Sequence, residues 1–322
     1  MNETETFDVV VIGGGPAGAT AAHDLACAGR SVLLLDRAGR TKPCGGAIPP
    51  RLIKDFAIPD SLLVARATAA RMVSPKDARV DIRIENGFVG MVDRDQFDEW
   101  LRERAAASGA QRRVGRFDRI TRDDDGVAVV HFETRSPGDE SVRSPARVRA
   151  RAIVGADGAK SEVARQTVAG AERTKYVFAY HEILRTPAVL PAGFDPSRCD
   201  VYYRGTLSPD FYGWVFPHGA TMSVGTGSAD KGFSLRGAVG APGEREKHLS
   251  RFCNAVASLC IERFATNGGG TGCAQSASEF TGRGRTLLPL PGGEGRGEGG
   301  RILRHRPISP SVSRHFIHSS SP

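Results

Sequence analysis

The chain has 322 residues, enough for two lobes or for one large α/β domain carrying an insertion. Hydrophobic residues make up 40% and charged residues 25%, ordinary globular values that speak against a disordered or membrane-spanning chain as a whole. The net charge of +8 is uneven: residues 239–322 hold 11 Lys+Arg and 6 Glu, leaving 33 of the 44 basic and 30 of the 36 acidic residues for the front, so the basic excess belongs largely to the tail and, with no aromatic platform beside it, argues for no nucleic-acid partner.

The start, Met1-Asn2-Glu3-Thr4-Glu5-Thr6, is polar and acidic and lacks the pattern of a secretory leader, so a cytoplasmic protein is expected. No stretch approaches the ~20 apolar residues of a membrane span, which leaves peripheral membrane association as the only kind expected. Phe7–Ile12 then reads as a strand of the type buried in a parallel sheet, followed at once by Gly13-Gly14-Gly15-Pro16-Ala17-Gly18, a G-x-G-x-x-G in its proper place. Small residues at Ala17, Ala21, Ala22 and Ala28, with Leu25, predict a helix that lies close to a sheet and ends at Gly29. The next strand, Ser31–Asp36, ends in a carboxylate 23 positions beyond Gly13. Gly13 permits the tight turn, Gly15 lets the backbone approach a pyrophosphate, Gly18 lets helix and strand pack closely, and Asp36 can accept hydrogen bonds from a ribose. Dinucleotide binding follows, with the helix start at Pro16 and Ala17 and the neighbouring Arg37 beside the phosphates and ribose.

Further along, Lys42-Pro43-Cys44-Gly45-Gly46-Ala47 is a Gly-rich loop bearing a cysteine, Val80–Ile84 alternates as a strand, and Met91–Leu101 leads through Asp93 and Arg94 into an amphipathic helix. Asp123-Asp124-Asp125-Gly126 lacks EF-hand spacing and reads as a solvated turn. Val127–Phe132 and Val142–Val148 suggest a hairpin around Ser136-Pro137-Gly138-Asp139. A separate strand from Arg151 breaks at Gly155-Ala156-Asp157-Gly158 and continues as a helix through Val163-Ala164-Arg165, which puts Asp157 and Gly158 at the carboxyl end of a strand, where ligands sit in a doubly wound sheet. The pattern G-A-D-G-x-x-S-x-V-R, with Ala164 inserted, resembles the "DG" signature of flavoprotein hydroxylases and their relatives and selects FAD over NAD. Residues 176–228 carry alternating or apolar runs expected to form an antiparallel sheet, with His181 and His218 as acid–base candidates on it, although a lone histidine in a strand is usually structural. The six cysteines form no CxxC pair, and no metal site is expected.

Together with the Cys44 loop and Gly87–Arg94, the segment Ser208–Pro217 followed by Gly225-Thr226-Gly227 closely resembles the geranylgeranyl reductase family, whose pattern Tyr-x-Trp-x-Phe-Pro, seven residues, Gly-x-Gly it fits. The wording is most similar to the branch acting on bacteriochlorophyll or chlorophyll in photosynthetic pigment synthesis, and the resemblance runs from about Phe7 to Val239. It implies an oxidoreductase with bound FAD and with NADPH as electron source, reducing double bonds of a geranylgeranyl chain to phytyl. It also implies a geranylgeranylated pigment or isoprenoid substrate, a location in the cytoplasm or at the photosynthetic membrane, and no protein partner that can be inferred. The family places the cysteine loop near flavin and substrate, so Cys44 is a candidate proton donor or substrate-shaping group, and Tyr212 and Trp214 are candidates from the matching motif. Gly45, Gly46 and Arg94 join the expected cofactor set.

The expected architecture is α/β: a Rossmann-like FAD-binding domain of the glutathione-reductase/hydroxylase type, formed by residues 1–75 and 94–170, with a substrate-side segment at 76–93 and an inserted antiparallel substrate-binding sheet at 171–238. Residues 239–322 turn rich in Gly, Arg, Ser and Pro and read as a disordered low-complexity tail, with one modest helix at Leu249–Phe264. The family carries a third FAD signature there, a strand ending in Gly-Asp-Ala-Ala-Gly, whereas no Asp, Tyr, Trp or Met follows Val239 in this chain. A truncated or frameshifted tail, with the sheet short of its last strand, is the expectation. Two other readings stay open from sequence: a fragment that at most binds the ADP half of FAD, and an FAD-dependent aromatic monooxygenase.

Overall fold

Phe7–Ile12 is apolar at every position but Asp8 because the strand it forms is covered on both faces. In the computed structural model, which describes residues 4–37, 44–136, 139–186, 188–190, 193–239 and 286–289, Val9 and Val11 enter one core and Phe7, Val10 and Ile12 another. The elements begin β1 (Thr6–Ile12), α1 (Pro16–Cys27), β2 (Val32–Asp36), β3 (Ala47–Ile48), α2 (Pro50–Asp55), β4 (Leu63–Ala67), β5 (Ala69–Val73), β6 (Arg79–Arg83), β7 (Val89–Val92) and α3 (Arg94–Ala107). They continue β8 (Gln111–Val114), β9 (Arg116–Arg122), β10 (Ala128–Ser136), β11 (Asp139–Gly155), α4 (Glu162–Thr167), β12 (Tyr176–Arg185), β13 (Arg198–Tyr202), β14 (Gly213–His218), β15 (Thr221–Ser228), α5 (Leu235–Val239) and β16 (Thr286–Pro289).

The first sheet has the order β8-β2-β1-β11-β10-β9. Its first four strands run parallel, and β10 and β9 turn back as an antiparallel pair. This is the α/β, Rossmann-like frame read from sequence. The arm at Val142–Val148 and the strand from Arg151 are, however, one strand. β11 runs 17 residues without a break, pairing with β10 in its lower half and with β1 from Arg149 to Gly155, since no turn-forming residue separates Val148 from Arg151. The close-packing stripe of α1 also differs from expectation. Gly18, Ala19, Ala22 and Ala26 are buried, while Ala17 and Ala28 face out, and the stripe packs with Phe97, Leu101 and Ala105 of α3 in one apolar core. Ala positions were too uniform in size for the sequence to say which face turns inward.

The second sheet, β16-β12-β15-β14-β13-β5-β6, is antiparallel except for the β13–β5 pair. Its membership corrects the boundary drawn at residue 75: Ala69–Val73 pairs with Arg198–Tyr202, so the chain enters this sheet before position 76. A small sheet, β3-β7-β4, joins the two. Within the tail read as disordered, Thr286–Pro289 pairs with Tyr176–Ala179; the helix expected at Leu249–Phe264 and the Gly-rich runs lie outside the described residues, as do Lys42, Pro43 and the Pro137-Gly138 turn. Among the described residues no helix is long and apolar enough to cross a membrane, and no cluster of His, Cys, Asp and Glu could hold a metal ion.

Candidate functional site

β1 ends in a turn that only glycine fits. Gly13 sits at φ +106°, and a Cβ there would lie 2.4 Å from the Ala156 carbonyl oxygen. A Cβ on Gly18 would lie 1.8 Å from the Gly13 oxygen, so helix and strand touch through backbone alone. Gly15 is the N-cap of α1 in extended geometry with no side-chain cap, and Pro16 follows it, so the first free N–H groups of the helix remain available to an anion. Gly14 supplies the approach to Asp36: a Cβ there would be 2.7 Å from the Asp36 carboxyl carbon. The carboxylate thus closes the loop from the end of β2, half-buried beside the backbone that would carry a diphosphate, while Arg37 next to it is exposed. This cradle fits the adenosine diphosphate half of FAD.

One residue missed from sequence belongs here. Arg102 of α3 donates from Nη1 to the Gly14 carbonyl at 3.1 Å and lies 3.6 Å from Asp36 Oδ2, with its Nε on Glu99 at 2.8 Å. The signal was available: Arg94, Asp98 and Arg102 recur every four residues and so share a helix face. Asp157 lies just past the carboxyl end of β11, where its position in the sequence puts it, and its side chain has protein partners there. Its carboxylate accepts from Ser161 Oγ at 2.5 Å and from the Glu162 N–H at 2.6 Å, so it anchors the start of α4, and what reaches the glycine loop is the Ala156-Asp157 backbone against Gly13. Gly158, at φ +95°, makes the turn between them.

The second half of the site is one face of the second sheet. Because side chains alternate along a strand, Tyr212, Trp214 and Phe216 of the β14 region share that face, with adjacent ring centroids 6.2 Å apart. Gly225 pairs with Trp214 on one side and His181 on the other, and the indole lies across the place a side chain would take. Gly227 does the same for Phe211. The spacing of the aromatic run and the Gly-x-Gly is therefore a register requirement across a hairpin. Trp214 is buried and donates from Nε1 to Ser223 Oγ at 3.1 Å; the same oxygen lies 3.1 Å from His181 Nδ1. Burial, helped by the neighbouring His218, pushes His181 down to about 4, so it stays neutral at pH 7.

The Cys44-Gly45-Gly46 loop lies against this face. A Cβ on Gly45 would strike the Phe216 ring at 2.6 Å, and Gly46, at φ +73°, is pressed against Val92 and His218. His218 holds the loop: Nε2 is 3.0 Å from the Gly45 oxygen and Nδ1 is 3.0 Å from Asp93 Oδ1. Beside it, Arg94 makes a bidentate pair with the buried Asp98, both contacts at 2.9 Å, and also reaches the Cys44 thiol. Burial opposes the Arg94 charge, but the Asp98 carboxylate outweighs it and the net shift is upward. Burial, then Tyr203 and Cys44, push the Tyr212 hydroxyl up. The structure thus gathers Cys44, Gly45, Gly46, Arg94, Tyr212 and Trp214 at one place, and Gly13, Gly15, Pro16, Gly18 and Asp36 at another. Ala17 and Arg37 face solvent at the edge of the second group.

Residues 6–225 match a family model described as FAD binding domain. The chain is 56% identical over 230 residues to the geranylgeranyl diphosphate reductase of Rhodobacter capsulatus, covering 71% of this chain and 56% of that one. It is 37% identical over 226 residues to the chloroplastic geranylgeranyl diphosphate reductase of Arabidopsis thaliana, covering 68% and 48%. The chain spans about half the length of these curated relatives. Among solved structures, a geranylgeranyl bacteriochlorophyll reductase-like protein from Thermoplasma acidophilum superposes with a TM-score of 0.62 at 25% identity, over 74% of this chain and 61% of that one. The flavin-dependent brominase Bmp2, at 20% identity and a TM-score of 0.55, shares the fold.

Proposed function

The chain belongs to the FAD-binding domain family, and from that premise we propose that it is built for an FAD-dependent geranylgeranyl reductase, acting on the chain of a bacteriochlorophyll, a chlorophyll or the free diphosphate with electrons from NADPH. The observation that carries the reading is the pairing of the two halves: a glycine cradle with a terminal acid on the first sheet, and an aromatic, largely uncharged sheet face against a cysteine loop on the second. The 56% identity over 230 residues to a named geranylgeranyl diphosphate reductase supports the same reading.

In this reading Gly13, Gly15, Pro16, Ala17 and Gly18 hold the diphosphate, Asp36 the adenosine ribose and Arg37 its rim. Arg94, Gly45, Gly46 and the Asp157-Gly158 turn support the flavin end. Bound FAD, once reduced by NADPH, supplies hydride to an isolated double bond. Such an alkene has no carbonyl to polarise, so the protein's work is alignment, exclusion of water and delivery of a proton. Tyr212 and Trp214 give the isoprenoid a flat apolar wall. Cys44, next to Arg94 and on the same side as that wall, is the proton donor of the scheme. The functional division of this reading is a cofactor part at residues 1–75 and 94–170, a substrate-side segment at 76–93, a substrate-binding sheet at 171–238 and a tail at 239–322, changed only in that β5 goes with the substrate half because it pairs with β13. An apolar isoprenoid substrate fits a protein of the cytoplasm that works at a membrane surface.

The test is turnover. Purified protein loaded with FAD is given NADPH and geranylgeranylated bacteriochlorophyllide, and the products are separated by chromatography. Stepwise loss of double bonds, abolished in Cys44→Ala without loss of bound FAD, supports the proposal; a folded, yellow protein that leaves every geranylgeranyl substrate unchanged refutes it.

A further inference from the structure

His218 occupies a position that a neutral imidazole does not satisfy. Its side chain is 3% exposed, at the end of β14, with Nδ1 3.0 Å from Asp93 Oδ1 and Nε2 3.0 Å from the Gly45 carbonyl oxygen. A carboxylate and a carbonyl both accept only. Whichever nitrogen carries the single proton of a neutral ring, the other would set its lone pair against an oxygen at hydrogen-bond distance. Two donors are needed, and only the doubly protonated ring has them.

We propose that His218 is the positioning residue of the Cys44–Gly46 loop, clamping it as an imidazolium between the Asp93 carboxylate and the Gly45 carbonyl. Among the described residues the loop's other holds are the backbone bond from the Val92 N–H to the Gly46 oxygen, the reach of Arg94 to the Cys44 thiol, and the apolar seat against Phe216. The ring also fills the space beside Gly46, where a Cβ would come within 2.6 Å of His218 Cε1. The titratable and charged groups around the clamp are Asp93 and Arg94 at the start of α3, Cys44 in the loop and His181 on β12. Arg94 is engaged by Asp98, and His181 is neutral, so Asp93 is the counter-charge. Loss of the second proton turns one of the two contacts from attraction to repulsion and frees the loop that carries Cys44. The consequence for turnover rests on the function proposed above; the clamp itself does not.

The experiment is hydrogen–deuterium exchange of the peptide spanning the loop and β3 in the full chain without substrate, corrected for intrinsic exchange and compared at about pH 5.5 and about pH 9. The parent protein should lose about tenfold or more of its loop protection at the higher pH, the worth of one charge-assisted bond, while the peptide of β1 keeps its own. Asp93→Asn is the decisive variant, because its amide can donate to Nδ1 while Nε2 keeps its hydrogen for Gly45, so a neutral ring suffices. Its loop should be protected equally at both values. His218→Phe should be unprotected at both, and if that variant fails to fold, the parent and Asp93→Asn still decide. Loop protection that is independent of pH in the parent, or that falls equally in Asp93→Asn, overturns the proposal. A reductase assay that fails leaves this result untouched.

Discussion

Replacing Gly225 with alanine should unseat Trp214. The added Cβ would lie 2.3 Å from Trp214 Cζ2, 2.6 Å from Cε2 and 2.7 Å from His181 Cβ, all well inside the usual contact distance of about 3.5–4.0 Å. β15 is a central strand held by β12 and β14, so the backbone has little room to withdraw and the indole must move. Overpacking of this kind costs about 1–3 kcal/mol, and losing the Trp214 bond to Ser223 adds about 1 kcal/mol, so Gly225→Ala should be less stable by about 2–4 kcal/mol in all. Urea titration followed by tryptophan fluorescence reads both the midpoint and the environment of Trp214, the only other tryptophan being Trp100. Trp214→Leu removes the clashing ring and leaves only the His181 contact to relieve, so in that background the same glycine substitution should cost less, a coupling of about 1–3 kcal/mol between the two sites. If the two changes simply add, or if Gly225→Ala matches the parent, the register account of the aromatic and glycine motifs is wrong.

Two further outcomes follow from the buried charges. His181 is held near 4 in the folded protein against 6.5 in the unfolded chain, so the unfolded state binds the extra proton first and stability should fall as pH drops from about 6.5 towards 4, by roughly 3 kcal/mol in total. His181→Leu should flatten that limb in pH-dependent denaturation; an unchanged slope would show that other groups carry it. Arg94→Ala strands the Asp98 carboxylate, 6% exposed, without its bidentate partner and should cost about 3–5 kcal/mol in thermal or urea unfolding, whereas Arg94→Met combined with Asp98→Leu should cost clearly less than Arg94→Ala alone. Equal losses in the two proteins would mean the pair is not working as a buried ion pair.

The first half of the site was legible in sequence because its determinants are local. A β-branched run, three glycines and a terminal acid within some thirty residues leave few alternatives, and the structure brings Gly13, Gly18 and Asp36 together for the steric reasons read from their spacing. The hairpin motif was legible as a pattern but not as a cause: only the pairing of Trp214 with Gly225 shows why the indole and the glycine come together. What stayed hidden is what depends on distant partners. Nothing within Ala69–Val73 says that it will pair with Arg198–Tyr202 rather than with the first sheet. Nor does the segment around Asp157 reveal that the carboxylate will turn to Ser161 and Glu162, because a strand-end acid serves equally as a ligand contact or as a helix anchor. Around His218 the sequence shows only a lone strand histidine, acid–base candidate or structural residue alike; its two oxygen neighbours come from segments 125 and 173 residues away in the chain.

The account stands on the cradle at the start of the chain. Its most direct test is a binding titration of FAD, with FMN as control, to the parent and to Asp36→Ala, followed by the change in flavin fluorescence. FMN lacks the adenosine that Asp36 is proposed to hold, so the substitution should weaken FAD by at least about tenfold, the worth of hydrogen bonds to a charged group, and leave FMN unaffected. A folded Asp36→Ala protein that binds FAD as tightly as the parent would contradict the central claim.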